Sequence, residues 1–123
     1  MKQVLLVFLG GGLGSSARYL IGRLLNTDSN GIPYGTFAAN IIGCFLIGII
    51  MGFSLKHNTF SQNSVLLLAT GFCGGFTTFS AFAYENHVFL KSGDLASFAL
   101  YTLGSLVLGF AAVFFGIWLI KIS

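Results

Sequence analysis

The stretch that decides the fold is Gly71-Phe72-Cys73-Gly74-Gly75-Phe76-Thr77-Thr78-Phe79-Ser80, which lies in the middle of a long apolar segment. Gly74-Gly75 and Thr77-Thr78 weaken a helix at its centre, and the freed backbone groups then need partners. Irregular backbone at membrane depth is tolerated only where protein buries it or where water or an ion reaches it. Broken helices of this kind mark ion or substrate sites in transporters. The stretch therefore predicts a membrane helix broken near 74–78 and points to ion handling.

Composition agrees. Of 123 residues, 55% are hydrophobic and 7% are charged, and the mean hydropathy is +0.90. A soluble domain carries roughly 25% charged residues, so the expected solvent is a bilayer. The length fits one domain. A net charge of +3, scattered along the chain, gives no nucleic-acid footprint. Cys44 and Cys73 lie inside apolar segments and read as small packing residues, not a disulfide framework or metal site. Met1-Lys2-Gln3 followed by Val4 to Leu9 superficially resembles a signal peptide. With no small-residue cleavage site before a polar domain, it reads as a retained first helix.

Working outward, four segments reach the ~20 apolar residues that a spanning helix needs. They run from about 4 to 25, 33 to 55, 64 to 84 (the broken one) and 95 to 120. Pro33 suits a first helical position, where its missing N–H is no loss. The expected loops are short: Asn26 to Ile32, Lys56 to Asn63, and Glu85 to Asp94. The fold class is thus an all-α integral membrane protein with four spans.

Four spans put both termini on one side. That side receives Lys2, Lys56 and Lys121; the other receives Arg23 and Lys91, plus Arg18 if it snorkels outward. Lys/Arg bias normally fixes orientation. Here it is nearly balanced, so insertion in both orientations and an antiparallel dimer are expected. Gly10/Gly14 and Gly48/Gly52 have small-xxx-small spacing, which serves helix packing within a subunit or between subunits.

Few side chains could carry chemistry. Asn40 and Thr36 share one helix face. Asn40 brings two N–H donors and an acceptor, for an interhelical hydrogen bond or for a passing anion. Phe76, Phe79 and Phe82 recur every three residues; such rings usually pack, yet their edges are the positive part of the quadrupole. Ser97, Tyr101, Ser105 and Gly109 form a stripe at four-residue spacing, although each hydroxyl taken singly could back-bond to its own helix. Arg18 and Glu85 are the ionisable residues nearest the apolar segments, and both read as lying near span ends, where snorkelling or loop pairing explains them. His57 and His87 fall in expected loops with no ligand spacing. With no nucleophile–base pairing, phosphate loop or paired carboxylates, the chain does not read as an enzyme.

On three stretches the chain resembles the CrcB/Fluc family of fluoride channels. They are Gly10-Gly11-Gly12-Leu13-Gly14 through Arg18-Tyr19, then Gly35-Thr36-Phe37 through Asn40 and Gly43, then Gly71 through Ser80 with Phe82 and Glu85. The third is the most specific, and length and span layout also agree. The resemblance implies an antiparallel dual-topology homodimer in the cell membrane, a bacterial inner membrane, with two fluoride pores. It implies that Phe79 and Phe82 line the pores by their ring edges, with Asn40, Ser80, Tyr101 and Ser105 along the path. Arg18, Thr36 and Glu85 would serve the vestibule or helix packing. A structural Na⁺ shared by the two subunits would be held by the backbone carbonyls of Gly74 and Thr77. The implied activity is passive fluoride export that lowers cellular fluoride. Ala81 and Ala83 flank Phe82, and Gly109 ends the polar stripe, where the family carries hydroxyls.

Two other classes compete. A small multidrug-type proton-coupled transporter is also short and four-spanning, but needs a carboxylate deep in its first helix; here the polar residues of that span include Ser15, Ser16 and Arg18 and no Asp or Glu. A non-transporting assembly subunit would leave Asn40, Phe79 and Phe82 unexplained.

Overall fold

The computed structural model describes residues 1–26, 31–57 and 60–123. Among these the chain is all-helical, and four segments are long and apolar enough to cross a membrane: Lys2–Leu25, Tyr34–Lys56, Gln62–Ser92 and Leu95–Ile122. We label the first two α1 and α2 and the last α5. The third span consists of α3 (residues 62–76) and α4 (Phe79–Ser92). Residues 27–30 and 58–59, which fall in the first two expected loops, lie outside the described residues.

The third span departs from a simple broken helix. Ser61 caps α3, its hydroxyl accepting from the Ser64 amide at 3.1 Å. From Leu66 to Cys73 the backbone widens into π turns, a geometry that recurs at functional sites. Gly74–Phe76 still forms an α turn, so the break is not at the glycine pair. It falls at Thr77 (φ −84, ψ 157) and Thr78 (φ −150, ψ 120), both extended. Thr78 then caps α4, its Oγ1 accepting from the Ala81 amide at 3.2 Å.

The expected loop from Glu85 to Asp94 is corrected: α4 continues to Ser92. Phe82, Glu85, Asn86 and Phe89 are spaced to share one face, and Asn86 and Phe89 are buried. The polar letters of this stretch alternate with a helical stripe. The turn is only Gly93-Asp94. Gly93 takes φ 80. Its amide donates to Leu90 O at 3.2 Å, and that of Asp94 to Phe89 O at 2.9 Å. This is the Schellman arrangement that a glycine makes possible. Asp94 Oδ1 accepts from the Ser97 amide at 3.0 Å and caps α5. Bonds from the Ser97 hydroxyl and amide hold its carboxyl below the usual carboxylate range. Glu85 therefore sits well inside a helix, not at a span end.

The glycines set the packing. A Cβ on Gly10 or Gly14 would overlap the carbonyl oxygens of Leu67 and Phe72, so α1 lies directly on the backbone of α3. A Cβ on Gly48 would overlap Val113 O, one on Gly52 would reach Ile120 Cβ at 3.0 Å, and one on Gly116 would sit 2.6 Å from Phe45 O, so α2 lies on α5. Both small-xxx-small pairs are thus used inside the chain. Lys56 Nζ donates to Ile120 O at 2.9 Å and to Ser123 O, joining the end of α2 to that of α5. The buried hydrophobic side chains are few (Ala39, Ala69, Cys73, Phe76, Phe89, Tyr101), while large apolar residues such as Leu24, Phe79 and Phe114 are 70–79% exposed. Such a surface suits lipid or a partner, not water.

Candidate functional site

The break is stabilised from α2. Asn40 Oδ1 accepts from the Thr78 amide at 2.7 Å and its Nδ2 donates to the Thr78 carbonyl at 3.2 Å. One carboxamide thus replaces both helical partners that Thr78 loses. Its second Nδ2–H is left over, and Asn40 lines the groove described below. Thr77 Oγ1 back-bonds to Cys73 O at 2.8 Å. The Gly75 carbonyl accepts from Arg18 Nε at 3.1 Å and from Ser15 Oγ at 3.4 Å. Among the described residues, no hydrogen bond goes to the carbonyl oxygens of Gly74 or Thr77.

Beside the break lies a groove of about 580 Å³ lined by Asn40, Gly74, Thr77, Phe79, Phe82 and Ser105 among others. Phe79 and Phe82 sit 5.9 Å apart between centroids, tilted by 44°. Phe79 is 79% exposed, so one chain supplies only part of its surroundings. Ser105 Oγ is buried without a hydrogen-bond partner, and it does not back-bond. Gly109 also lines the groove and, having no side chain, leaves it open at that point.

A second cluster lies along α4. Glu85 Oε2 accepts from Thr36 Oγ1 at 2.7 Å and Oε1 accepts from Tyr101 OH at 2.7 Å. Both distances are those of well-formed O–H···O bonds. Thr36 is 6% and Tyr101 2% exposed, so both hydroxyls depend on this carboxylate. Tyr101 packs its ring on Phe82 at 5.1 Å and edge-on to Phe89 at 6.0 Å. Arg18, Thr36 and Glu85 share a second pocket, of about 450 Å³, with Arg23 and Asn26.

The structure therefore divides the residues singled out by sequence. Asn40, Phe79, Phe82, Ser105, Gly74 and Thr77 converge on one groove; Arg18, Thr36 and Glu85 on the other pocket. Tyr101 is buried between the two clusters with its proton committed to Glu85. Ser80 is exposed and lines neither; its Oγ lies 3.3 Å from Thr78 Oγ1. Sequence reasoning missed Thr78, which is both cap and clamp partner. The signal available was a threonine one residue before a helix start, the preferred cap type. It also missed the Glu85 bonds, because Thr36, Glu85 and Tyr101 come from three helices with no shared spacing.

An all-helical chain with four helices long and apolar enough to span, a broken third span, and a largely apolar groove carrying a few polar groups at the break has the build of an integral membrane protein. A family model described as "CrcB-like protein, Camphor Resistance (CrcB)" matches residues 5–117. The "Fluoride-specific ion channel FluC" of Gloeothece citriformis is 55% identical over 123 residues, covering 98% of each chain. The proteins of the same description from Chlorobium phaeobacteroides and Phocaeicola vulgatus are 48% and 47% identical, over 99% and 97% of this chain and 97% and 98% of theirs. The chain belongs to the CrcB family and is a multi-pass cell-membrane protein.

Proposed function

We propose that this chain is a fluoride-selective channel that passively exports fluoride and lowers its cellular level. The observation that carries the reading is the groove at the break. There Phe79, Phe82, Asn40 with its leftover N–H, and Ser105 with its buried, unpartnered hydroxyl line one space. Fluoride is small and strongly hydrated, so a pore must replace its water with donors and positive edges. Ring edges provide the edge charge, and the amide and hydroxyl provide donors. None of these groups brings a competing negative charge.

Glu85, the carboxylate beside this path, has both oxygens occupied by hydroxyl donors. This supports passive flow over proton exchange. The relatives carry fluoride-channel descriptions, and nothing favours a multidrug-type transporter.

We further propose that the working unit is an antiparallel homodimer. The exposure of Phe79 supports this, as does the near balance of Lys and Arg between the two ends. The unbonded carbonyls of Gly74 and Thr77 fit a hard monovalent cation, which takes oxygen ligands. Na⁺ bound there would neutralise the carbonyl dipoles that the break exposes and hold two copies together.

The test is anion efflux from liposomes containing the purified protein. Fluoride loss that needs a potassium ionophore for charge balance, with chloride retained, is the expected result. Fluoride loss with stoichiometric proton movement would replace the channel with a coupled carrier. A C-terminal tag accessible on both membrane faces is the expected result for the dimer; a tag on one face only would remove the dual topology.

A further inference from the structure

The second pocket has a chemistry that fluoride conduction does not use. Arg18, Tyr19 and Arg23 of the α1 C-terminal half and the following Asn26 share a space of about 450 Å³ with Thr36 and Glu85. Among the described residues Arg18 spends only its Nε, on Gly75 O at 3.1 Å, which fixes the plane of the guanidinium and leaves its terminal amino groups without a partner there. Arg23, exposed in the last turn of α1, makes no hydrogen bond among the described residues. The carboxylate that lines the pocket, Glu85, is bonded to Thr36 and Tyr101 and to neither guanidinium. Asn26 Oδ1 accepts from the Gly35 amide at 2.6 Å. This turns its Nδ2 toward Gly22, another lining residue, where a Cβ would lie 3.6 Å from it.

Two guanidinium forks and an amide donor make a multi-point oxyanion site. A tetrahedral oxyanion meets the two parallel N–H donors of a fork with two separate oxygens, which is why arginine predominates where phosphate is recognised. The volume lies in the range of small-ligand pockets and far exceeds what one dehydrated halide fills. We propose that this pocket binds a phosphate group, either free inorganic phosphate or the headgroup phosphate of an anionic lipid. An occupant there lies against Thr36 and Glu85, the carboxylate beside the proposed fluoride path, and lowers flux by the negative charge it brings to that place. The effect on flux rests on the channel reading; the binding itself does not.

The test uses the purified full chain in phosphatidylcholine vesicles. Fluoride efflux is followed as inorganic phosphate replaces chloride at constant ionic strength. For free phosphate, flux is expected to fall several-fold. Arg23→Gln should raise the half-inhibitory phosphate about tenfold, the worth of one charge-assisted bond. Arg23→Lys, which keeps the charge but loses the fork, should fall between. Calorimetric titration of phosphate into the detergent-solubilised protein should show the same order, with no dependence on conduction. For a headgroup source, wild-type flux should be several-fold lower in phosphatidylglycerol than in phosphatidylcholine, and Arg23→Gln should level the two. Lys91→Gln, a cation outside the pocket, is the control for general surface charge. The proposal is overturned if neither phosphate nor phosphatidylglycerol separates wild type from Arg23→Gln, or if Lys91→Gln behaves as Arg23→Gln does.

Discussion

Asn40 grips Thr78 through both halves of its carboxamide, accepting from the amide at 2.7 Å and donating to the carbonyl at 3.2 Å. The same side chain lines the groove, so under the proposed channel reading holding the break and meeting the ion are coupled. Asn40→Asp keeps the acceptor for the Thr78 amide but sets an oxygen against the Thr78 carbonyl. Leaving that carbonyl unsatisfied costs about 1–3 kcal/mol. Thermal stability and fluoride flux are both expected to drop, the flux by more than about tenfold. Full stability with lost flux would confine the amide to the ion, and normal conduction would remove both roles.

Phe79 and Phe82 separate ring chemistry from packing. Phe79 is 79% exposed, so within the chain Phe79→Ile removes little beyond its ring pair with Phe82 at 5.9 Å. Phe82 touches Tyr101 at 5.1 Å, and Phe82→Ile should cost about 0.5–1.5 kcal/mol from the lost aromatic pair. Both variants should lose most fluoride flux, since both lose a positive ring edge. Thermal unfolding in detergent should distinguish them, with Phe82→Ile, which loses two ring partners, shifted more than Phe79→Ile, which loses one. Undiminished flux in both would reject the ring-edge role.

The glycines of α1 make a sharper stability test because neighbours differ. A Cβ on Gly14 would overlap the Phe72 carbonyl, whereas a Cβ on Gly12 meets nothing within 4 Å. Gly14→Ala should force α1 off α3 and destabilise by about 1–3 kcal/mol or more. Gly12→Ala should be neutral or gain up to ~1 kcal/mol from helix propensity. Equal melting shifts would mean that α1 does not approach α3 as closely as the backbone places it.

What the sequence made legible follows from these contacts. Gly74-Gly75 and Thr77-Thr78 announced a break, but only Asn40, thirty-eight residues away, decides that it falls at Thr77–Thr78. The glycine spacing announced close helix approach without saying which helix answers it; Gly71 and Gly75 face α1, and Gly116 faces α2. Residues 85–92 read as loop because Glu85, Asn86, His87 and Lys91 are polar, and the reading failed because Phe82, Phe89 and the buried Asn86 form one helical face. A three-helix contact such as Thr36–Glu85–Tyr101 has no sequence period and appears only with the fold.

That contact gives the last prediction. Thr36 and Tyr101 are buried, and each donates its only hydroxyl proton to Glu85. Glu85→Ala strands both hydroxyls and should destabilise by about 1–3 kcal/mol for each. Glu85→Gln retains one acceptor oxygen and should cost less, because only one hydroxyl must turn. Tyr101→Phe combined with Glu85→Gln should be less damaging than the sum of the two, with a coupling of about 0.5–3 kcal/mol for directly bonded partners. Flux carries a separate message. A carboxylate that ferried protons would make Glu85→Gln abolish proton movement along with fluoride movement. A carboxylate that only anchors α4 to α2 and α5 should leave fluoride flux electrogenic and uncoupled from protons in Glu85→Gln, with any loss of rate tracking the loss of stability. Proton flux in the wild type that disappears in Glu85→Gln would therefore overturn both the anchoring role and passive export.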